Sequence, residues 1–112
     1  METYYNPADL AKFSADGVGA ASPELWDKYM NYYGSVFQDG ALTAREKALI
    51  ALAVASAVQC PYCIDAYTNN LLSQGCDDAE IMEAIHVANA NRGGASLVHG
   101  VQAVNIIQKN EL

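Results

Sequence analysis

Thr43-Ala44-Arg45-Glu46-Lys47-Ala48-Leu49-Ile50-Ala51-Leu52-Ala53-Val54-Ala55-Ser56-Ala57-Val58, followed by Gln59-Cys60-Pro61-Tyr62-Cys63, contains a helix start, a helix body and a second helix start in succession. Thr43 with Glu46 three residues on fits a capping box, in which the hydroxyl and the carboxylate each take one unpaired backbone amide. The residues that follow are apolar on nearly every face as far as about Val58. A helix with no face suited to water belongs in the middle of a fold, so this one is expected to be central and the most buried. The run Ala48 to Val58 is broken only by Ser56. It falls well short of the roughly 20 residues that span a bilayer, so no membrane is expected. Cys60 then reads as an N-cap with Pro61 at the first helical position, where its missing N–H costs nothing.

Outward from this stretch the helix signals continue. The helix begun at Cys60 is predicted to run to about Ser73 and close at Gly75. Asp77, with Glu80 three residues on, opens another, and Ile81, Ala84, Ile85 and Ala88 give it an apolar stripe. Gly93-Gly94 is expected to break it, with a last helix from about Ala95 to Ile107. Upstream, Pro7 to Phe13 suggests a short helix. Ser22-Pro23 caps a longer one, Glu24 to Gln38, carrying Leu25, Tyr29, Tyr32, Tyr33 and Val36 on a broad face. These aromatics read as packing. No stretch shows the two-residue alternation of a strand, so the fold class is all-α, with about five to six helices.

The chain has 112 residues, 52% of them hydrophobic and 17% charged, which argues for one packed domain over 1–112 with its core at about 42–108. So much apolar side chain on so small a domain suggests that part of it lies in a subunit interface. The net charge is −7 with six scattered Lys and Arg, which disfavours nucleic acid as a partner. Met1-Glu2-Thr3-Tyr4-Tyr5 does not begin a signal peptide, and a cytoplasmic location is expected. Neither a Gly-x-Gly-x-x-Gly fingerprint nor a phosphate loop is present, so no organic cofactor is expected.

Three cysteines in a chain with no export signal do not make a secreted disulfide framework; a close pair there means redox chemistry or metal. Cys60 and Cys63 lie one helical turn apart at a helix N-terminus, where backbone N–H groups and the positive end of the dipole favour a thiolate. Such a thiolate attacks a peroxide or a disulfide, and its neighbour closes a disulfide without a large backbone movement. Zinc needs about four ligands, and Cys76, His86 and His99 lack a ligand spacing, so no metal site is expected. A second class of function stays open: a non-catalytic binding protein whose cysteine pair holds or transfers a soft metal or metalloid such as zinc or arsenic.

Cys60-Pro61-Tyr62-Cys63 is similar to the glutaredoxin tetrapeptide, but that fold places its pair after an early strand. The stretch Arg45 to Ala55 leading into Cys60-Pro61-Tyr62-Cys63 resembles instead the AhpD-like, carboxymuconolactone decarboxylase superfamily. With the later helices and Gly93-Gly94, the resemblance covers about Leu42 to Ala103. It implies an all-helical fold, homo-oligomers (trimers or hexamers), and alkylhydroperoxidase activity in members with both cysteines. Members that decarboxylate lack the pair. A narrower resemblance, from Cys60 to Thr68 and Gly93 to Gly100, is to peroxidase-like proteins associated with arsenosugar biosynthesis.

The resemblance makes Cys63 the peroxidatic cysteine and Cys60 the resolving one, with an external dithiol protein as reductant and a peroxide or disulfide as substrate. The superfamily's usual histidine falls on Tyr67 and its usual glutamate on Ala48, so both parts of the proton relay are missing. That implies weak peroxidase activity or a base from elsewhere. Tyr67, one turn beyond Cys63, is placed to donate a hydrogen bond to the thiolate or to a bound peroxide. His99 is preferred to His86 as the replacement base. Glu46 is explained by its cap, Asp65 points elsewhere, and Cys76 reads as a passive thiol.

Overall fold

The computed structural model describes residues 6–111; Met1–Tyr5, on which the expectation of no leader rests, and Leu112 lie outside them. Every regular element among the described residues is helical. A 3-10 helix, Pro7–Lys12, precedes α1 (Pro23–Val36), α2 (Ala44–Val58), α3 (Pro61–Ser73), α4 (Asp78–Leu97) and α5 (Gly100–Asn110).

The capping box at Thr43 forms as its sequence requires. The Thr43 amide donates to Glu46 Oε1 at 2.9 Å, and the Glu46 amide donates to Thr43 Oγ1 at 3.1 Å. Asp77 and Glu80 build a second box at the start of α4. From its start α2 runs through the centre, and α3 and α4 both pack against it. It supplies Ala48, Leu52 and Ala55 to the buried core, which is completed by Leu71, Cys76 and Ala88. Leu52 and Leu71 are wholly buried, with Ile64, Tyr67, Ile81 and Ile85 packed around their cluster. The expectation of a central α2 holds. Its far side, with Ile50, Val54 and Val58, is nevertheless more than half exposed.

Two helix ends share one design. After α2, Gln59 adopts the left-handed conformation (φ 60°), the Cys60 amide donates to Ala55 O at 3.0 Å, and the Gln59 amide donates to Ser56 O at 3.3 Å. After α3, Gly75 (φ 83°) takes the left-handed place, the Cys76 amide donates to Leu71 O at 3.0 Å, and the Gly75 amide donates to Leu72 O at 3.1 Å. Both are Schellman closures, in which the residue after the left-handed one turns inward. The second explains Cys76: it is 5% exposed, unpaired, and seated in the core with Leu71. The first delivers the chain from α2 directly to the start of α3.

One boundary differs from expectation. Helix α4 does not break at Gly93-Gly94 but continues to Leu97, and the turn comes at Val98-His99. Each glycine disfavours a helix by only about 1 kcal/mol relative to alanine. The helix is also tied just before the pair, where Arg92 Nη1 donates to Ala57 O at 2.6 Å in the last turn of α2. The last helix accordingly starts at Gly100 and ends at Asn110.

Helix α1 reaches the rest of the fold through rings. Near its start Trp26 meets the Phe13 ring edge-on at 4.9 Å, with Gly19 so close that a Cβ would fall 2.6 Å from the indole. Near its end, Phe37 lies 4.8 Å from Tyr33 and stacks on Tyr67 of α3 at 5.6 Å. Helix α5 and the last turn of α4 lie outside the α2–α3–α4 core and leave Leu97, Val98, Val101, Val104, Ile106 and Ile107 exposed. The molecule is elongated, 63 Å along its longest axis against 38 and 37 Å. No helix among the described residues is long and apolar enough to cross a membrane.

Candidate active site

Cys60 and Cys63 are joined in a disulfide, with 5.3 Å between their Cα atoms. The site is set by backbone at both ends. The Schellman closure of α2 fixes the Cys60 amide, and Pro61 starts α3 immediately afterwards. Cys60 is then the N-cap, and its Sγ accepts the Cys63 amide at 3.3 Å. Both cysteines are partly buried. An amide donor and the positive helix end at Cys60 Sγ stabilise negative charge there once the bond opens.

Beside the disulfide is a groove of about 660 Å³ whose lining includes Cys63 and Tyr67 of α3, Ile50, Val54 and Val58 of α2, and Phe37. The lining is mostly apolar, and Cys60 does not contribute to it. The two cysteines therefore differ: Cys60 Sγ accepts a backbone amide, and Cys63 is the one that lines the apolar groove. Lys47, also in the lining, donates through Nζ to Gln38 O at 2.6 Å.

Tyr67, on the superfamily's histidine position, shares the groove with Cys63. Its hydroxyl is hydrogen-bonded to that of Tyr33 at 2.5 Å. Burial pushes the Tyr33 phenol well above its ordinary range, and the bond to Tyr67 adds to the shift. Ala48 is buried in the core, so its position offers no proton carrier. Glu46 stays in its cap, and its carboxyl is held below the usual range by the Thr43 amide and then by the Thr43 hydroxyl. Asp65 accepts from Asn69 Nδ2 at 2.6 Å.

The histidines lie apart from this groove. His86 lines a second cavity of about 570 Å³ with Met82, Asn89 and Arg92. His99, exposed, stands at the α4–α5 turn and lines neither cavity. Cys60, Cys63 and Tyr67 are thus brought together, and His99 is not joined to them. Tyr33, which reads as packing in sequence, and Phe37, which the sequence does not single out, belong to the same cluster. Among the described residues no three His, Cys, Asp or Glu side chains converge in a way that could hold a metal ion.

Residues 23–105 match the carboxymuconolactone decarboxylase family. The chain belongs to that family. A Paracoccus denitrificans relative, "Uncharacterized protein 4 in cox locus", is 38% identical over 89 residues, which is 80% of each chain. A crystal structure of a Methanobacterium thermoautotrophicum protein is similar, with 31% identity and a TM-score of 0.72, covering 75% of this chain and 94% of the other. A second, of a carboxymuconolactone decarboxylase family protein from Legionella pneumophila in its apo form, has 31% identity and a TM-score of 0.64 over 91% and 87%. The architecture is the AhpD-like helical bundle. Family membership and the bonded pair together support a thiol-redox role.

Proposed function

We propose that the protein is a dithiol oxidoreductase that reduces organic hydroperoxides, with Cys63 as attacking thiolate and Cys60 as resolving cysteine. The observation that carries this reading is the bonded pair at a helix N-terminus, with only Cys63 facing an apolar groove. The reduced Cys63 thiolate takes the terminal oxygen of a hydroperoxide, the O–O bond breaks, and an alcohol leaves after gaining a proton. The resulting Cys63 sulfenic acid condenses with the Cys60 thiol to give the disulfide and water. An external dithiol protein then reduces the disulfide and is itself oxidised. Apolar alkyl hydroperoxides suit the lining better than hydrogen peroxide does.

A homo-oligomer is part of the same proposal, supported by the apolar residues of α5 that stay exposed among the described residues. So is a cytoplasmic, reducing setting, in which the pair would cycle. The relatives carry nothing that favours the narrower arsenosugar-associated group. The test is steady-state turnover of an alkyl hydroperoxide with a dithiol regenerating system. Wild type is expected to turn over, Cys63→Ser to be inactive, and Cys60→Ser to lose turnover while still forming a dimedone-reactive sulfenic acid at Cys63. A wild-type protein that binds zinc or arsenite stoichiometrically and consumes no peroxide would establish the binding-protein function instead.

A further inference from the structure

Tyr33 and Tyr67 are 34 residues apart in sequence, yet their hydroxyls meet at 2.5 Å. Tyr67 lies four residues after Cys63 on α3, about 6 Å along the axis and on the same face, and both line the groove. Tyr33 is not in the lining. Its ring is held by Phe37 at 4.8 Å and by Tyr29 at 6.1 Å, and Phe37 stacks in turn on Tyr67. We propose that the phenol of Tyr67 is the acid that protonates the alkoxide leaving a bound hydroperoxide, and that Tyr33 is the residue that positions it. This rests on the hydroperoxide-reducing reading above.

Geometry carries the assignment. Of the two hydrogen-bonded phenols only Tyr67 lines the groove, so the arrangement that serves a bound peroxide is the one in which Tyr33 donates to the Tyr67 oxygen. The proton of Tyr67 is then left for the groove, and an O–H whose oxygen already accepts a hydrogen bond is the stronger donor. Cys63 thiolate bonds to the terminal oxygen, the O–O bond breaks, and the electron pair leaves with the alkoxide. The alkoxide takes the Tyr67 proton to become the alcohol, and solvent reprotonates the tyrosinate. Cys63 is oxidised to the sulfenic acid and the peroxide is reduced. The missing histidine and glutamate would have served as a proton relay; here a phenol pair serves the leaving group.

Leaving-group chemistry tests this. A single turnover of the reduced protein is followed with tert-butyl hydroperoxide, whose alkoxide needs a proton, and with peracetic acid, whose carboxylate does not. Tyr67→Phe is expected to slow the alkyl hydroperoxide about 100-fold and Tyr33→Phe about tenfold, with both peracid rates within about threefold of wild type. Each variant keeps its ring, and circular dichroism checks that the helices remain. Equal losses on the two oxidants would show a structural role only, and no loss on either would show no role; both results overturn the inference. Wild type reacting with peracid but not with the alkyl hydroperoxide overturns it too, yet leaves the thiol chemistry standing. Wild type inert to both sinks the parent reading as well.

Discussion

At the scale of single residues, the two bonded cysteines differ in what surrounds them. Cys60 Sγ accepts an amide hydrogen bond at the helix start, whereas Cys63 lines the apolar groove. In thiol–disulfide exchange the better-stabilised thiolate is the faster leaving group. An incoming dithiol should therefore attack Cys63 and expel Cys60. When the oxidised wild-type protein reacts with a monothiol such as 2-mercaptoethanol and is quenched in acid, the mixed disulfide should be found on Cys63 more often than on Cys60, with the other sulfur released as the thiol, as measured by peptide mass. The reverse ratio would show that the amide bond does not set the order. The cysteine pair was fully legible in sequence, because an N-cap, a proline and a one-turn spacing are local facts. The Tyr33–Tyr67 bond was not: it joins α1 to α3 and depends on how Phe37 settles between them.

At the scale of elements, short-range rules succeeded and one tertiary tie defeated them. The box at Thr43 and the helix starts at Pro23, Pro61 and Asp78 lie where the sequence places them, because each depends on contacts three or four residues apart. The Gly93-Gly94 break failed because helix α4 is tied to α2 through Arg92 and Ala57, a contact 35 residues apart. The starts of α2 and α4 are joined in a similar way. Glu80 caps α4 with one oxygen and pairs with Arg45 of α2 through the other. The Arg45 hydrogen bond, and then the Asp77 amide, lower the Glu80 carboxyl below its ordinary range. A depressed carboxylate adds stability above its unfolded pKa of about 4.3 and loses it as pH falls through the folded value. Glu80→Gln, which keeps a capping side chain, should lower the melting temperature at pH 7, and the difference should shrink as pH falls below about 4.3 and vanish once the folded carboxyl is protonated. The pair is only partly buried, so high salt should shrink the effect as well. A difference that persists in acid would point to packing rather than charge.

Across the whole molecule, the exposed apolar residues of α5 and of the last turn of α4 are the outstanding physical fact. An isolated 12.0 kDa chain would leave Leu97 81% exposed, together with Val101, Val104 and Ile106 along the next helix. Apolar patches of this kind on small proteins mark interaction surfaces. The excess of hydrophobic residues was visible in composition, but its location was not, since α5 has an amphipathic pattern that suits either a core or an interface. Multi-angle light scattering should give a mass of three or six times 12.0 kDa. Introducing charge at Val104 and Ile107 should reduce that mass, while a wild-type mass of one chain would remove the oligomer from the account.

In the proposed cycle two sulfurs at the start of α3 pass between dithiol and disulfide, with Cys63 meeting the oxidant. Titrating the reduced protein with one equivalent of an alkyl hydroperoxide, followed by peptide mass spectrometry, tests that cycle. The expected products are a Cys60–Cys63 disulfide with Cys76 still a free thiol, and a sulfenic acid on Cys63 when Cys60 is serine. Both thiols unchanged, or oxidation confined to Cys76, would contradict it.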